Sequence, residues 1–169
     1  MPFTPVHMGS GLLIKALLQG SFSLMVFGWA QILMDVQPLV VMLRGEGHLH
    51  GFSHTYLGAT LIALITIASG KFLSELGLKI LKLPGHEDVE IAWLIVIISA
   101  LIGTYSHVAI DSIMHSDIEP FYPVSAKNHL LGLTSIETLH KLCFYAGILG
   151  TIFYYGISKY IFRNEEEDN

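Results

Sequence analysis

The sequence predicts an all-α integral membrane protein, a bundle of four to five transmembrane helices with one amphipathic interfacial helix. Of its 169 residues, 52% are hydrophobic and only 14% are charged, whereas soluble domains carry about 25% charged residues. The uncharged residues also form long runs, and a bilayer core requires about 20 apolar residues for each helix that crosses it. These runs cover 16–34, 55–70, 91–110 and 142–158.

The first two predicted helices lie on either side of a turn. Residues 19–23 contain the glycine and the serines of that turn. The helix predicted before the turn, over about 7–19, is short for a full membrane crossing. It is expected to be a short transmembrane helix, a re-entrant segment or an interfacial helix. The helix after it covers about 22–43. Pro38 is expected to kink or end this second helix, because proline lacks a backbone N–H and its ring clashes with the preceding turn.

The composition changes after the third predicted helix, which covers about 52–73. In the segment 71–85, lysines and a glutamate alternate with apolar residues at helical spacing, a pattern typical of an amphipathic helix in the headgroup layer. Pro84 and Gly85 are expected to end this interfacial helix. The fourth spanning helix is expected over about 89–115.

The last helix is expected over about 136–162, after a long loop. The chain then ends in the acidic residues of 163–169, which are expected to be a solvated tail. No internal repeat or low-complexity linker interrupts the sequence, so residues 1–169 are expected to form one domain. The basic residues do not form a patch of the kind that binds nucleic acid, so no such interface is expected.

The basic residues predict the orientation in the membrane. With five crossings they divide six to three between the two sides, and cytoplasmic segments are enriched in lysine and arginine. The richer side is therefore predicted to be cytoplasmic, with the C-terminus there and the N-terminus outside an inner, or cell, membrane. The richer side contains Lys15, Lys71, Lys79, Lys82, Lys159 and Arg163, and the other side contains Arg44, Lys127 and Lys141.

Ionisable residues recur at one depth in all five predicted helices. With a rise of about 1.5 Å per residue, they lie about 20–25 Å from the inner boundary, in a layer near the outer leaflet. Inside a membrane an ionisable side chain is unfavourable unless it is paired or metal-bound, so these residues are candidates for a functional site. They are His7, Asp35, His54, His107 and His140.

Spacing along the chain extends this set. His107, Asp111 and His115 are separated by four residues each and share one face of a helix. His50 and His54 are also four residues apart, and they share a face if the third helix begins early enough. Six of these residues are predicted to lie at a similar depth and, where two belong to one helix, on the same helical face. A shared metal site explains this arrangement. The six residues are His7, Asp35, His50, His54, His107 and Asp111.

Some of these residues have simpler interpretations. Glu137 and His140 form an i, i+3 pair at the start of the last helix, but a carboxylate there also suits the positive end of the helix dipole. Asp35 alone fits a packing residue that hydrogen-bonds a neighbouring helix. The remaining histidines are expected in loops: His48 and His86 as ordinary exposed residues, and His129 without an assignment.

Four motifs resemble those of the bacterial and archaeal inner-membrane metal-dependent hydrolases of the LexA-regulated type. They are TPVH at 4–7, AQILMDVQPL at 30–39, LHGFSHT at 49–55 and SHVAIDSIMHSDIEPFYP at 106–123. The resemblance extends from His7 to about His140. That family is in turn remotely similar to the zinc-dependent phospholipases C and the single-strand-specific zinc nucleases, which are all-helical enzymes with a cluster of zinc ions.

The resemblance implies metal ligands at the matching positions. It also implies a divalent metal as cofactor, zinc first and iron or manganese as alternatives, in a site of one to three ions. The ligands so implied are His7, Asp35, His50, His54, His107 and Asp111, and the nearest matches to the further ligands of the phospholipases are His115, His140 and Glu137.

The chemistry expected of such a site is ester hydrolysis. Mixed imidazole and carboxylate ligands suit Zn, Fe or Mn rather than Ca or Mg, and a metal with an open position lowers the pKa of its bound water toward about 7. A metal-bound hydroxide is expected to cleave a phosphoester or related ester, with Asp117 or Glu137 as the catalytic group that handles the proton. The depth favours a lipid or amphipathic substrate that enters laterally. Ser53 and Ser106 are expected to be caps or hydrogen-bond partners of ligand histidines.

Two other function classes remain open. A metal- or haem-binding or transport protein would use the same histidines without an open position for water. A di-iron oxidative enzyme of the desaturase type is supported only by the His50 and His54 spacing. A transporter needs polar residues that continue to the inner face, but the inner halves of the predicted helices, such as LIALITIAS and WLIVIISA, are apolar. This favours a site that opens to one side.

Overall fold

The computed structural model describes residues 7–81 and 90–167, and within these ranges the regular structure is entirely helical. The prediction of an all-α fold is therefore confirmed. The helices are α1 (His7–Leu18), α2 (Leu24–Arg44), α3 (Tyr56–Leu81), α4 (Trp93–Met114) and α5 (Ile136–Glu167), and 3-10 turns at Gln19–Ser21 and Phe52–His54 precede α2 and α3.

Three of the described helices are long and apolar enough to cross a membrane. They are α2, α3 and α4, with 21, 26 and 22 residues. The N-terminal helix α1 has 12 residues, which correspond to about 18 Å, whereas the hydrocarbon core is about 30 Å thick. Helix α1 by itself is therefore not a full crossing. The apolar run in α5 stays a prediction for the fourth crossing.

Helix α2 does not end at Pro38 but continues through it. It begins where the Ser23 hydroxyl accepts a hydrogen bond from Val26 N–H at 3.3 Å. It ends at Gly45, which has a φ of 71° and donates its N–H to the Val41 carbonyl. Pro38 removes one backbone hydrogen bond, but a hydrocarbon environment offers the backbone no other partners, so the helix persists.

Helix α3 continues without a break to Leu81, so the segment expected as a separate interfacial helix over 71–85 is, in its described part, the end of α3. Lys71 and Glu75 form an ion pair one turn apart, and both bind the backbone of Ile91. These charges join the end of α3 to the segment that enters α4. The expected helix-ending residues Pro84 and Gly85, and the expected loop residue His86, lie outside the described residues.

The last two helices differ from expectation at their ends. Helix α4 begins at Trp93 rather than near residue 89. Helix α5 continues to Glu167, because glutamate is a good helix former and extending a helix is easier than starting one. The acidic residues expected as a solvated tail thus prolong α5, and Asp168 and Asn169 lie outside the described residues.

Small residues hold α1 against α5. A Cβ atom added to Gly9 would overlap the carbonyl oxygen of Cys143, and one added to Gly150 would lie 2.5 Å from the backbone of Leu12. Close backbone approach through glycine is typical of membrane helices. Because His7 is the first residue of α1, this contact positions the His7 imidazole relative to the other helices.

Helices α2, α3 and α4 form the other part of the bundle. Met34, Ala59 and Val108, one from each helix, make a buried apolar cluster close to the ionisable residues. At the level of the start of α4, Val26, Val96 and Ala100 belong to a second apolar cluster. The buried histidines and aspartates are therefore gathered at one end of the core.

Candidate metal centre

Five ionisable residues meet near one end of the bundle. His7 begins α1, Asp35 lies in α2, His54 ends the turn before α3, and His107 and Asp111 lie one turn apart in α4. All five are buried, with exposed fractions between 0% and 7%. Four chain segments thus bring imidazoles and carboxylates to one place.

The carboxylate of Asp111 lies at the centre of this cluster. Its Oδ1 atom is 3.3 Å from His7 Nε2. Its Oδ2 atom is 3.3 Å from His54 Nε2 and 3.2 Å from His107 Nε2. His107 Nε2 is also 3.4 Å from Asp35 Oδ1. Both oxygens of Asp111 therefore face imidazole nitrogens, which come from three different segments.

Gln31 determines the orientation of the His107 ring. The Gln31 amide nitrogen donates to the Gly103 carbonyl at 2.9 Å, so Gln31 Oε1 accepts from His107 Nδ1 at 2.6 Å. Because Nδ1 carries this proton, His107 Nε2 presents its lone pair to carboxylate oxygens. Electron-rich atoms at this distance repel one another unless a cation, either a proton or a metal ion, lies between them.

The geometry favours a metal ion over a proton. The Nε2 atoms of His7, His54 and His107 are buried and have no hydrogen-bond partner, although carboxylate oxygens lie within ion-pair distance. A shared proton requires a nearly linear arrangement, whereas a metal ion binds its ligands at wide angles to one another. Buried polar atoms without partners are rare, so these three nitrogens mark a place that could hold a metal ion.

The spacings agree with those between ligands of one ion. Two atoms that are each about 2.0–2.1 Å from a tetrahedral zinc ion are about 3.3–3.4 Å apart. The four nitrogen–oxygen distances around Asp111 and Asp35 are 3.2–3.4 Å. The residues present therefore fit the divalent metal that the family resemblance implies.

Three overlapping groups of side chains offer ligand atoms within 4.8 Å of one another. One imidazole nitrogen binds one ion, whereas a carboxylate has two oxygens and can bridge two ions. Two of the groups share His107 and two share Asp111. Among the described residues the groups are His7, His107 and Asp111; Asp35, His54 and His107; and His50, Asp111 and His115.

His50 and His115 extend the cluster toward the loops. Their rings stack with centroids 4.1 Å apart. His50 Nδ1 donates to the Asp117 carboxylate at 3.0 Å, which leaves Nε2 free to bind a metal in the carboxylate–histidine arrangement common at metal sites. His50 and His54 do not share a helical face, because both precede α3, but their ring centroids are still only 5.0 Å apart.

The protonation states of the groups outside the spanning helices suit metal binding. Burial lowers the pKa of His54, and burial together with the neighbouring His50 lowers the pKa of His115. Burial opposes ionisation of Asp117, but the hydrogen bond and charge of His50, together with backbone hydrogen bonds, outweigh it, so the pKa of Asp117 is lowered. The two histidines thus favour the neutral form that binds metals, and Asp117 favours the carboxylate.

The two serines next to ligand histidines behave differently. Ser53 Oγ lies 2.9 Å from His54 Nδ1, so the expected hydrogen bond to the neighbouring histidine is confirmed for Ser53. Ser106 Oγ donates instead to the Gly103 carbonyl at 3.2 Å. Ser53 therefore orients a candidate ligand and Ser106 satisfies the backbone of its own helix.

Two glutamines belong to the site but were not predicted from the sequence. Gln31 orients His107, and it lies four residues before Asp35 on the same face of α2, a spacing that would have identified it. Gln37 Oε1 accepts from Ser53 N–H at 2.8 Å and so supports the turn that carries His54. No sequence signal marks Gln37, because its partner is in another segment.

Two predicted site residues lie away from the cluster. Glu137 is 77% exposed and pairs with Lys141 on the surface of α5. His140 is half-buried on the same helix and belongs to none of the three groups. The structure does not bring them to Asp111, because α5 packs against α1 and depth alone does not specify which way a helix faces. His48 and His129, expected in loops, are exposed.

Two cavities adjoin the cluster. One, of about 470 Å³, lies among the loops beside His50 and Asp117. The other, of about 510 Å³, lies between α1, α2 and α3, and reaches Asp35. The first has a mixed polar and apolar lining and the second a mainly apolar one. The candidate metal centre therefore lies between a cavity of mixed lining and an apolar one.

Comparison with known proteins identifies one family. The family model described as YdjM inner membrane protein matches residues 7–164, a range that contains all the residues of the three groups. Searches of the curated proteins and of the solved structures gave no match.

Proposed function

The chain belongs to the YdjM inner membrane protein family, and from its buried cluster we propose that it is a membrane-embedded metal-dependent hydrolase. Its proposed substrate is a phosphoester or related ester of a lipid or amphipathic molecule. One observation carries the proposal. Three buried imidazole nitrogens, of His7, His54 and His107, face the Asp111 carboxylate at the spacing of metal ligands and have no hydrogen-bond partner.

The ligand groups support a site for two ions. His107 has one available nitrogen and therefore serves one ion, whereas the two oxygens of Asp111 are free to serve both. Zinc is the proposed metal, because the ligand spacing fits tetrahedral zinc and because imidazole with carboxylate suits it. His7, Asp35, His54 and His107 would hold one ion, His50 and His115 would hold the other, and the carboxylate of Asp111 would serve both.

The proposed reaction uses Asp117 to handle the proton. A bound divalent cation with an open position lowers the pKa of coordinated water to about 7 and polarises the ester. The Asp117 side chain is 41% exposed and accepts the Nδ1–H of His50, so one carboxylate borders both the cluster and the loop cavity. It takes a proton from the attacking water at a carboxylate oxygen and returns it to the leaving group. Glu137 is not assigned this role, because it pairs with Lys141 on the surface.

The one-sided position of the cluster supports hydrolysis over transport. A transport route needs polar groups across the whole membrane. Toward the other end of the described core, Val26, Val96 and Ala100 are buried apolar residues. Hydrolysis is therefore the proposed function, and a metal-binding or transport role is one possible result of the experiment described next.

Elemental analysis of the detergent-purified protein, combined with a substrate panel, tests the proposal. We expect about two zinc ions per chain and hydrolysis of at least one member of a panel of phosphomonoesters, phosphodiesters and phospholipids. His54→Ala and His107→Ala should each lose bound metal and hydrolysis together, because each removes a buried ligand with no substitute nearby.

The matched control is His129→Ala, which changes an exposed histidine outside the cluster and should keep both metal and activity. Full metal content in His54→Ala and His107→Ala would contradict the ligand assignment. Bound metal without hydrolysis of any ester would instead make the protein a metal-binding or transport protein.

A further inference from the structure

The apolar cavity beside Asp35 has the shape of a groove along one helix. It follows α2 from Leu24 to Asp35, with Met8 of α1 and Leu73 of α3 on its other sides. The eleven residue-to-residue steps from Leu24 to Asp35 correspond to about 16 Å of helix. That length matches roughly twelve methylene groups of an extended chain with carbon–carbon bonds of about 1.5 Å. The groove is thus as long as a substantial part of one fatty acyl chain.

The lining of the groove suits a hydrocarbon and not a polar ligand. Apart from Gln31, Asp35 and Ser74, the side chains along it are apolar or aromatic. The Trp29 indole N–H already donates to Ser69 Oγ at 2.9 Å, so the ring offers the groove only apolar surface. Two of the three helices that form the groove are candidate membrane spans, so it lies where lipid chains and not water are available.

The polar end of the groove is the candidate metal centre. Asp35 lines the groove and also lies 3.4 Å from His107 Nε2, while Gln31 lines it and orients the same ring. A molecule whose chain lies in the groove therefore has its polar linkage at the cluster. The loop cavity lies on the other side of the cluster, where the head of such a molecule would lie. The described residues that line it include His48, Asp117, Glu119 and Asn128, and no lysine or arginine is among them.

We propose that this groove binds a single acyl chain of a membrane lipid and so brings the polar linkage of that lipid to the metal cluster. The lining of the loop cavity favours a neutral or cationic head, as in a phosphatidylethanolamine. The inference names the substrate of the proposed hydrolase. The inference depends on the proposed function only where it calls the lipid a substrate. Binding of the lipid in the groove can be measured without any hydrolysis.

Photo-cross-linking in lipid nanodiscs tests the occupation of the groove. The probe is a phosphatidylethanolamine with a diazirine near the end of one acyl chain, and the labelled residues are identified by mass spectrometry. We expect labelling of Met25 and Leu73 several times stronger than labelling of Ile152 and Phe153, which are exposed residues of α5. Protein stripped of metal by a chelator should give the same pattern.

Gly28 provides the variant that fills the groove. A Cβ atom there would contact only the end of the Met8 side chain, at 3.5 Å, so Gly28→Leu places its extra carbons in the groove. Labelling of the groove should fall several-fold while the metal content stays unchanged. If hydrolysis is detected, kcat/KM for the long-chain lipid should fall and that for a short-chain phosphodiester should not. Gly28→Ala, which adds one methyl group, should decrease the labelling of the groove by a smaller factor. It replaces Gly28→Leu in the experiment if Gly28→Leu does not fold.

The matched control is Gly156→Leu, because a Cβ at Gly156 meets nothing within 4 Å; it should change neither labelling nor metal content. The proposal is overturned if the groove residues and the α5 residues are labelled equally, or if the Gly28 variants label the groove as strongly as the unmodified protein does. Both outcomes hold whether or not the protein is a hydrolase. Labelling that depends on Gly28 in a protein that hydrolyses no ester overturns the proposed function and retains the groove as a lipid site.

Discussion

At the residue scale, Asp111 holds the cluster together, because its two oxygens face histidines from three chain segments. The hydrogen bonds of the histidines then decide which nitrogen is available. Gln31, Ser53 and Asp117 each contact the Nδ1 atom of one histidine. A histidine whose Nδ1 donates to such a partner has Nε2 available for a metal, so these partners would preorganise the ligands.

Replacing Gln31 tests this preorganisation. Gln31→Leu removes the acceptor for His107 Nδ1 and one of the two side-chain donors to the Gly103 carbonyl, the other being Ser106 Oγ. We expect a metal affinity about 10- to 100-fold lower and a free energy of unfolding lower by about 1–3 kcal/mol. Metal titration and denaturant unfolding measure the two effects.

The conservative variant separates orientation from packing. Gln31→Glu keeps an oxygen for His107 Nδ1 but cannot donate to the Gly103 carbonyl when ionised, so it should retain most of the metal affinity and lose some stability. Equal metal affinity in Gln31→Leu and the unmodified protein would show that Gln31 does not orient a ligand.

At the element scale, the short helix α1 positions one residue of the cluster, His7. It carries His7 to the cluster, and its packing on α5 rather than its own length determines where His7 lies. Gly9 and Gly150 permit that close packing. Helix α5 therefore contributes to the site indirectly, although none of the ionisable side chains described for its first part lies at Asp111.

Gly150→Leu should separate α1 from α5, because the new side chain would overlap the backbone of Leu12. Overpacking of this kind lowers the free energy of unfolding by about 1–3 kcal/mol, and displacing His7 should weaken metal binding. Melting temperature and metal content report the two effects. Gly156→Leu on the same helix is the control, and a Gly150→Leu protein that matches it in both measurements would contradict the role of this contact.

At the scale of the whole molecule, the cluster lies near one end of a membrane bundle, between a loop cavity and an apolar groove. The basic residues predict that this end faces outward and that the C-terminus is cytoplasmic. This orientation agrees with a site that takes lipids from the outer leaflet, and it determines which compartment receives a water-soluble product.

Cysteine labelling in intact cells tests the orientation. In a Cys143→Ala background, which removes the single native cysteine, Lys127→Cys should react with a membrane-impermeant maleimide added outside. Gly20→Cys, in the exposed turn at the other end of α1, should react only after the cells are opened. The reverse pattern would place the cluster near the cytoplasmic face.

The sequence alone predicted the membrane class, the helix order and the common depth of the ionisable residues. These features are local, since composition and the rise per residue of a helix determine them. The same local reasoning failed for α3, where the ion pair of Lys71 and Glu75 binds the backbone of Ile91, and the charged segment therefore continues the spanning helix.

Only the tertiary structure decided which of these residues meet. Depth is one coordinate, and the direction in which a helix faces depends on side-chain packing between segments far apart in the sequence. For that reason His107 and Asp111 reach the cluster, while His140, at the same predicted depth, and its i, i+3 neighbour Glu137 remain on α5. The pairing of His50 with Asp117 and of His107 with Gln31 arises in the same way, because each hydrogen bond joins residues that only the packed bundle brings together.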